Sequence, residues 1–208
     1  MAMKKTLCLR VSVFHKKKPC KQKYCLHSYT PELLKNKLKK DVIQIKDEAL
    51  RKGAEEGMVE FLQVFIDAYE EAIGGELTAE TMPQLNGYQI TLLAYHYFRR
   101  EVNEGGFVQL IYNGYGSFIF ENPFAKAMRL MGAREFSKLV YSARKVYEEN
   151  KKELTREKTD EEFMATYEKF EAFDKLEEEF MEMEEYVTAT LASYVDEHIE
   201  DFGEVVKD

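Results

Sequence analysis

Tryptophan is absent from the 208-residue chain, and its three cysteines, Cys8, Cys20 and Cys25, all fall within the first 25 residues. An odd, N-terminal set of thiols leaves the main body without a crosslink, so its stability has to come from packing. No apolar run approaches the roughly 18–20 residues that span a bilayer. The start, "MAMKKTLCLRVSVFHKKKP", lacks the form of a secretory signal, because Arg10 interrupts its apolar stretch and no small-residue cleavage site follows. These absences exclude a membrane-spanning or disulfide-stapled protein and predict a cytoplasmic one. The chain is well supplied with large apolar side chains. It is 45% hydrophobic, with 14 Phe and 13 Tyr, enough for one domain with a substantial core.

Basic residues are scarce in the last quarter. From Asp160 onward there are 3 Lys and Arg against 18 Asp and Glu, whereas residues 1–52 hold 15 against 4. The net charge of −8 therefore describes neither end, and each end implies different partners. Two regions follow: a basic N-terminal extension over residues 1–29 and a helical domain over 30–208.

Strand patterns are also thin. Leu7, Leu9, Val11 and Val13 alternate in the extension, and "SFIF" before Pro123 could make a brief extended piece. Helical signals dominate elsewhere and predict an all-α fold. Thr30-Pro31 reads as an N-cap and first helical position. In "VEFLQVFIDAYEEAIGG", Phe61, Leu62, Phe65, Ala68, Tyr69 and Ala72 form a core-facing stripe that stops at Gly74-Gly75. "GYQITLLAYHYFRREVNEGG" is apolar on nearly every side as far as Arg99, the mark of a central helix. Gly105-Gly106 should end it, Phe107–Tyr112 should form a further short helix, and Asn113-Gly114 and Gly116 read as turns. Two more helices are expected on either side of Gly132.

Beyond Asp160, Phe163, Tyr167, Phe170, Phe173, Leu176, Phe180, Met183, Val187, Leu191 and Tyr194 recur at steps of 3 or 4, predicting one long helix or two with a break. This stripe reads as core. Between Phe170 and Tyr186 it is accompanied by eight carboxylates and a single lysine. Glu171, Asp174, Glu178, Glu182 and Glu185, at steps of 3, 4, 4 and 3, lie away from the stripe, and Glu177, Glu179 and Glu184 add to the field. Like charges at i,i+4 each cost about 0.2–0.5 kcal/mol, and only Lys169 and Lys175 are placed to relieve them. The eight carboxylates average one charge per roughly 3 Å of helix axis, near the 3.4 Å per phosphate of a DNA strand. A plain solvated face is the alternative.

The double-glycine block reads as a helix end and restart, with Asn103 or Glu104 helping to cap and Gln109 and Asn113 satisfying backbone groups. A rival reading is a polar pocket of His96, Glu101, Asn103 and Gln109 doing acid–base or metal chemistry. The five-residue step from His96 to Glu101 suits one helical face poorly. Glu197-His198 reads as a solvated pair at a helix end. In the extension, Cys20, Cys25, His15 and His27 lack a common zinc-finger spacing, and the lysine cluster could bind nucleic acid, fold back on the acidic body or stay unstructured.

Glu101-Val102, Gly105-Gly106-Phe107, Gln109 and Asn113, followed by Met131-Gly132-Ala133 and the closing "FDKLEEEFMEMEEYVTATLASYVDEHIEDF", resemble the signature of the bacterial DNA-mimic protein family, over roughly residues 30–202. Glu104 stands where that family favours Asn, and Leu110-Ile111 where aromatics are common. The resemblance implies a helical, dimeric domain with no catalytic residues, metal or cofactor, and no nucleic-acid binding of its own. Its acidic surface would imitate duplex DNA and occupy a DNA-binding protein such as a transcriptional repressor. Two other readings stay open: a small enzyme or ligand-binding protein at the Gly105-Gly106 turn, and an immunity or scaffold protein that binds a basic partner.

Overall fold

The computed structural model describes residues 42–75 and 77–207. The helix expected from about residue 31, the alternating run in the extension and the Cys20/Cys25/His15/His27 group lie outside them. Nine α-helices and two three-residue strands account for most of the described chain.

β1 (Gln44–Lys46) leads into α1 (Asp47–Glu56), and α2 (Met58–Ala72) packs against α1. Phe61, Leu62, Phe65, Ile66 and Tyr69 of α2 face inward, as the stripe predicts, and Gly74 and Gly75 end the segment with positive φ. The chain then enters α3 (Gly87–Tyr112) through a capping box: Asn86 Oδ1 accepts from the Tyr88 and Gln89 N–H groups, and Gln89 Oε1 accepts from the Asn86 N–H. Among the described helices α3 is the longest, and it is buried on nearly all sides as far as Val102. It kinks at Gly105 and Gly106, and Gly106 takes φ 71, a left-handed conformation that glycine adopts cheaply.

α4 (Gly116–Phe120), α5 (Phe124–Leu130) and α6 (Arg134–Thr155) follow. α4 occupies the stretch where a brief extended piece was one possibility. Phe118, Ile119 and Phe120 are all buried; an extended chain would turn every second one to solvent, and a single helical turn buries all three. α7 (Asp160–Lys169) opens on a Thr159–Glu162 capping box, and a 3-10 turn (Glu171–Phe173) separates it from α8 (Asp174–Glu197). The long apolar stripe is thus two helices, and each of its ten members is buried or packed against the core.

The rings converge on Phe98 of α3. It is fully buried, with ring centroids 5.6 Å from Phe107, 6.1 Å from Phe124, 5.0 Å from Phe136 and 5.1 Å from Phe180. One side chain therefore touches both halves of α3 and also α5, α6 and α8. The C-terminus closes the fold at the other end of α3. The Phe202 carbonyl, at the end of α9 (Ile199–Phe202), accepts from Tyr69 Oη at 2.8 Å and Gln89 Nε2 at 3.0 Å. β2 (Glu204–Val206) then pairs in parallel with β1, Ile45 opposite Val205. This small sheet had no periodic signature, since three residues are too few to show alternation.

Phe98→Ala is expected to cost about 3–5 kcal/mol in urea unfolding, as for a large core aromatic that leaves a cavity. Tyr186→Ala, at an exposed site on α8, should stay within roughly ±0.5 kcal/mol in the same assay.

Candidate partner-binding ridge on α8

The buried side of α8 is set by Phe180, Val187, Thr188, Leu191, Ala192 and Val195, which turns Asp174, Glu178, Glu182 and Glu185 outward. Glu171 is also exposed, but it belongs to the 3-10 turn, so it lies off the helical row that its spacing suggested. None of these five carboxylates has an ion-pair partner among the described residues. The four on α8 span 11 residue steps, about 16 Å of axis. That is one exposed charge per roughly 5 Å, looser than the 3.4 Å of a DNA strand.

The other three carboxylates of the stretch have partners within the domain, which corrects the estimate of one charge per 3 Å. Glu184 accepts a 2.6 Å ion pair from Arg99 Nε on α3, and Glu179 lies 3.6 Å from Lys175. Glu177 turns inward, where its Oε1 accepts the Phe107 N–H at 2.8 Å. Burial raises the Glu177 pKa; the Phe107 N–H opposes that shift and the nearby Asp174 charge adds to it. Two apolar side chains flank the row: Met181 is 48% exposed and Tyr186 is 65% exposed.

At the double glycine, α3 ends and restarts as expected, but the cap comes from elsewhere. Asn103 is exposed, and the first free N–H of the restart, on Phe107, is capped by Glu177 from α8. Gln109 and Asn113 serve a side chain rather than the backbone. Glu101 is almost fully buried, and its Oε2 accepts Asn113 Nδ2 at 2.7 Å and Gln109 Nε2 at 3.2 Å, while its Oε1 accepts Arg100 Nη2 at 2.8 Å. Arg100 also donates to Tyr115 Oη at 3.1 Å. A buried carboxylate is tolerable when it is satisfied in this way.

His96 and Glu101 are not brought together. His96 lines a small cleft between α2, α3 and α8 with Leu62, Ile66, Leu92, Tyr95 and Thr188, to which Glu101 does not contribute. Burial, reinforced by the Arg100 and Arg99 charges, lowers the His96 pKa to about 4, so it is a neutral side chain at pH 7 and not a base poised to exchange protons. His198 is not a solvated partner of Glu197. Its ring stacks on Tyr194 at 4.2 Å, and its Nδ1 lies 2.9 Å from the Tyr194 carbonyl. Among the described residues no cluster of His, Cys, Asp and Glu is placed to hold a metal ion, and no helix is long and apolar enough to cross a membrane.

Comparison with known proteins bears on the same elements. The family described as DMP19-like protein matches residues 83–198, from just before α3 to the end of α8. The chain belongs to this family. It is 30% identical over 145 residues, 69% of its own length and 87% of the other's, to a Neisseria meningitidis serogroup B protein named DNA mimic protein DMP19. The family match takes in the Glu101 network, the kink and the helical part of the ridge, and leaves out α1 and α2.

Helical spacing places the outward row of Asp174, Glu178, Glu182 and Glu185 correctly, but it hides the turn at Glu171 and the inward roles of Glu177 and Glu184. Their signal was available. Counting back from Val195, Leu191 and Thr188 in steps of 4 and 3 reaches Glu184 and then, one heptad earlier, Glu177, on the side of the helix that is buried further along.

The raised Glu177 pKa gives a stability prediction. A carboxyl whose folded pKa exceeds its unfolded value favours the fold when protonated, and that contribution is lost as pH rises through the folded pKa. Glu177→Gln keeps an acceptor for the Phe107 N–H without the charge. Its melting temperature should equal wild type in acid and exceed it at pH 7.

Proposed function

We propose that the exposed face of α8 imitates the charge of DNA and occupies the DNA-reading surface of a basic protein, a transcriptional repressor being the type of target that fits. The observation that carries this reading is that Glu171, Asp174, Glu178, Glu182 and Glu185 have no ion-pair partner among the described residues, while their neighbours are paired or buried. A row of like charges with no partner among the described residues destabilises its own helix, and a basic surface relieves that repulsion. The name of the Neisseria relative supports the same reading. Met181 and Tyr186 beside the row would give the contact an apolar component that polyanionic DNA lacks, so the mimic can hold its target by more than charge.

Axial density supports a homodimer. One row supplies a charge per roughly 5 Å, whereas duplex DNA carries one per about 1.7 Å, and a second copy would bring the total closer to the duplex. The reading places the protein with its target in the cytoplasm and assigns it no catalysis.

The test is capture from lysate by wild type and by a variant with Glu171, Asp174, Glu178, Glu182 and Glu185 all changed to Gln. Wild type should recover a DNA-binding protein that is released by added duplex DNA, with affinity falling at least about tenfold between low and moderate salt. The five-Gln variant should not recover it. Equal recovery by both would reduce the row to a solvated face.

A further inference from the structure

The acidic segment is tied to the kink of α3 at two adjacent backbone groups. Gly105 C=O accepts Tyr167 Oη from α7 at 3.0 Å, and Phe107 N–H donates to Glu177 of α8 at 2.8 Å. Tyr167 and Glu177 lie on opposite sides of the 3-10 turn, so the elbow between α7 and α8 is pinned on both arms. Gly106 stands between the two groups, and a Cβ there would come 2.2 Å from Glu177 Oε1. Ring contacts fill the rest of the seam, Phe107 on Phe173 at 5.2 Å and Tyr112 on Phe163 at 4.3 Å. Ring contacts hold the two segments together over an area, and the two hydrogen bonds add a directional tie to fixed backbone groups.

We infer that the double-glycine kink is a latch that holds the first turns of α8, where the acidic ridge begins, in place, with Glu177 as its positioning residue. Glu177 then serves partner binding without touching the partner: it acts through its hydrogen bond and not through its charge. The inference rests on the ridge being the partner-binding surface.

Glu177→Gln and Glu177→Ala separate the two roles, because both remove one charge and only the first keeps an acceptor for Phe107 N–H. Tyr167→Phe removes the other tether with no change of charge. Each variant is assayed for binding to the purified DNA-binding protein that wild type captures, with poly-lysine as a charge-only probe, and for hydrogen exchange along α8. Glu177→Gln should bind the captured protein as wild type does, with the same salt dependence. Glu177→Ala and Tyr167→Phe should bind it about 3- to 10-fold more weakly. Glu177→Ala and Glu177→Gln should bind poly-lysine equally. Amides in the first turns of α8 should exchange faster in Glu177→Ala and Tyr167→Phe than in wild type or Glu177→Gln.

Equal loss of binding in Glu177→Gln and Glu177→Ala would overturn the inference and return Glu177 to a contributor of field. Unchanged exchange in Glu177→Ala would overturn it whatever the binding shows. If the ridge reading itself fails, with the five-Gln variant binding like wild type, exchange alone decides the latch: faster exchange in Glu177→Ala than in Glu177→Gln upholds it, and equal exchange overturns it.

Discussion

The break in α3 at Gly105 and Gly106 is the constraint on which the placement of the acidic half of the domain depends. A continuous helix would satisfy its own backbone there and offer nothing to its neighbours. At the kink the Gly105 carbonyl and the Phe107 N–H instead each have a partner in the acidic segment, Tyr167 and Glu177. The same break lets Phe107 turn back onto Phe98, so that both halves of α3 share one aromatic core with α8. Burial of the kink and placement of the ridge are therefore one event in the folded state.

Charge is used in two ways in this domain. Where a carboxylate enters the interior it is fully engaged: Glu101 has Arg100, Gln109 and Asn113, and Glu184 has Arg99. Along the outer face of α8 the opposite holds, and a sequence of acids runs with almost no basic relief. Proteins selected for stability alone soften such rows with alternating lysines. In this chain the polar groups around the double glycine are spent on holding the kink and the buried Glu101 together, while the outward carboxylates of α8 are left to solvent.

Much of this was legible in the sequence, because helical period, glycine stops and an unbroken apolar face report directly on burial. α2, α3, the kink and the long stripe after Asp160 all fall where those patterns put them. The exposed row from Asp174 to Glu185 was legible for the same reason: it is what remains once Phe180, Val187 and Leu191 have claimed the inner side. The parts that were not legible depend on contacts between distant segments. No local pattern announces that Glu177 caps a helix 70 residues earlier, that Glu101 gathers two amides from the next helical segment, or that residues 44–46 pair with 204–206. The "SFIF" run stayed open for a different reason, since a short run of buried residues satisfies a strand and a helix equally well until the neighbours are known.

The most direct test of the central claim is a binding titration of the captured DNA-binding protein against this chain over a range of salt, repeated with saturating duplex DNA. The account predicts that log K falls linearly with log salt, that changing Glu178, Glu182 and Glu185 to Gln makes the slope shallower, and that saturating DNA abolishes binding. A salt-independent affinity, or a ternary complex that forms with DNA still bound, would contradict it.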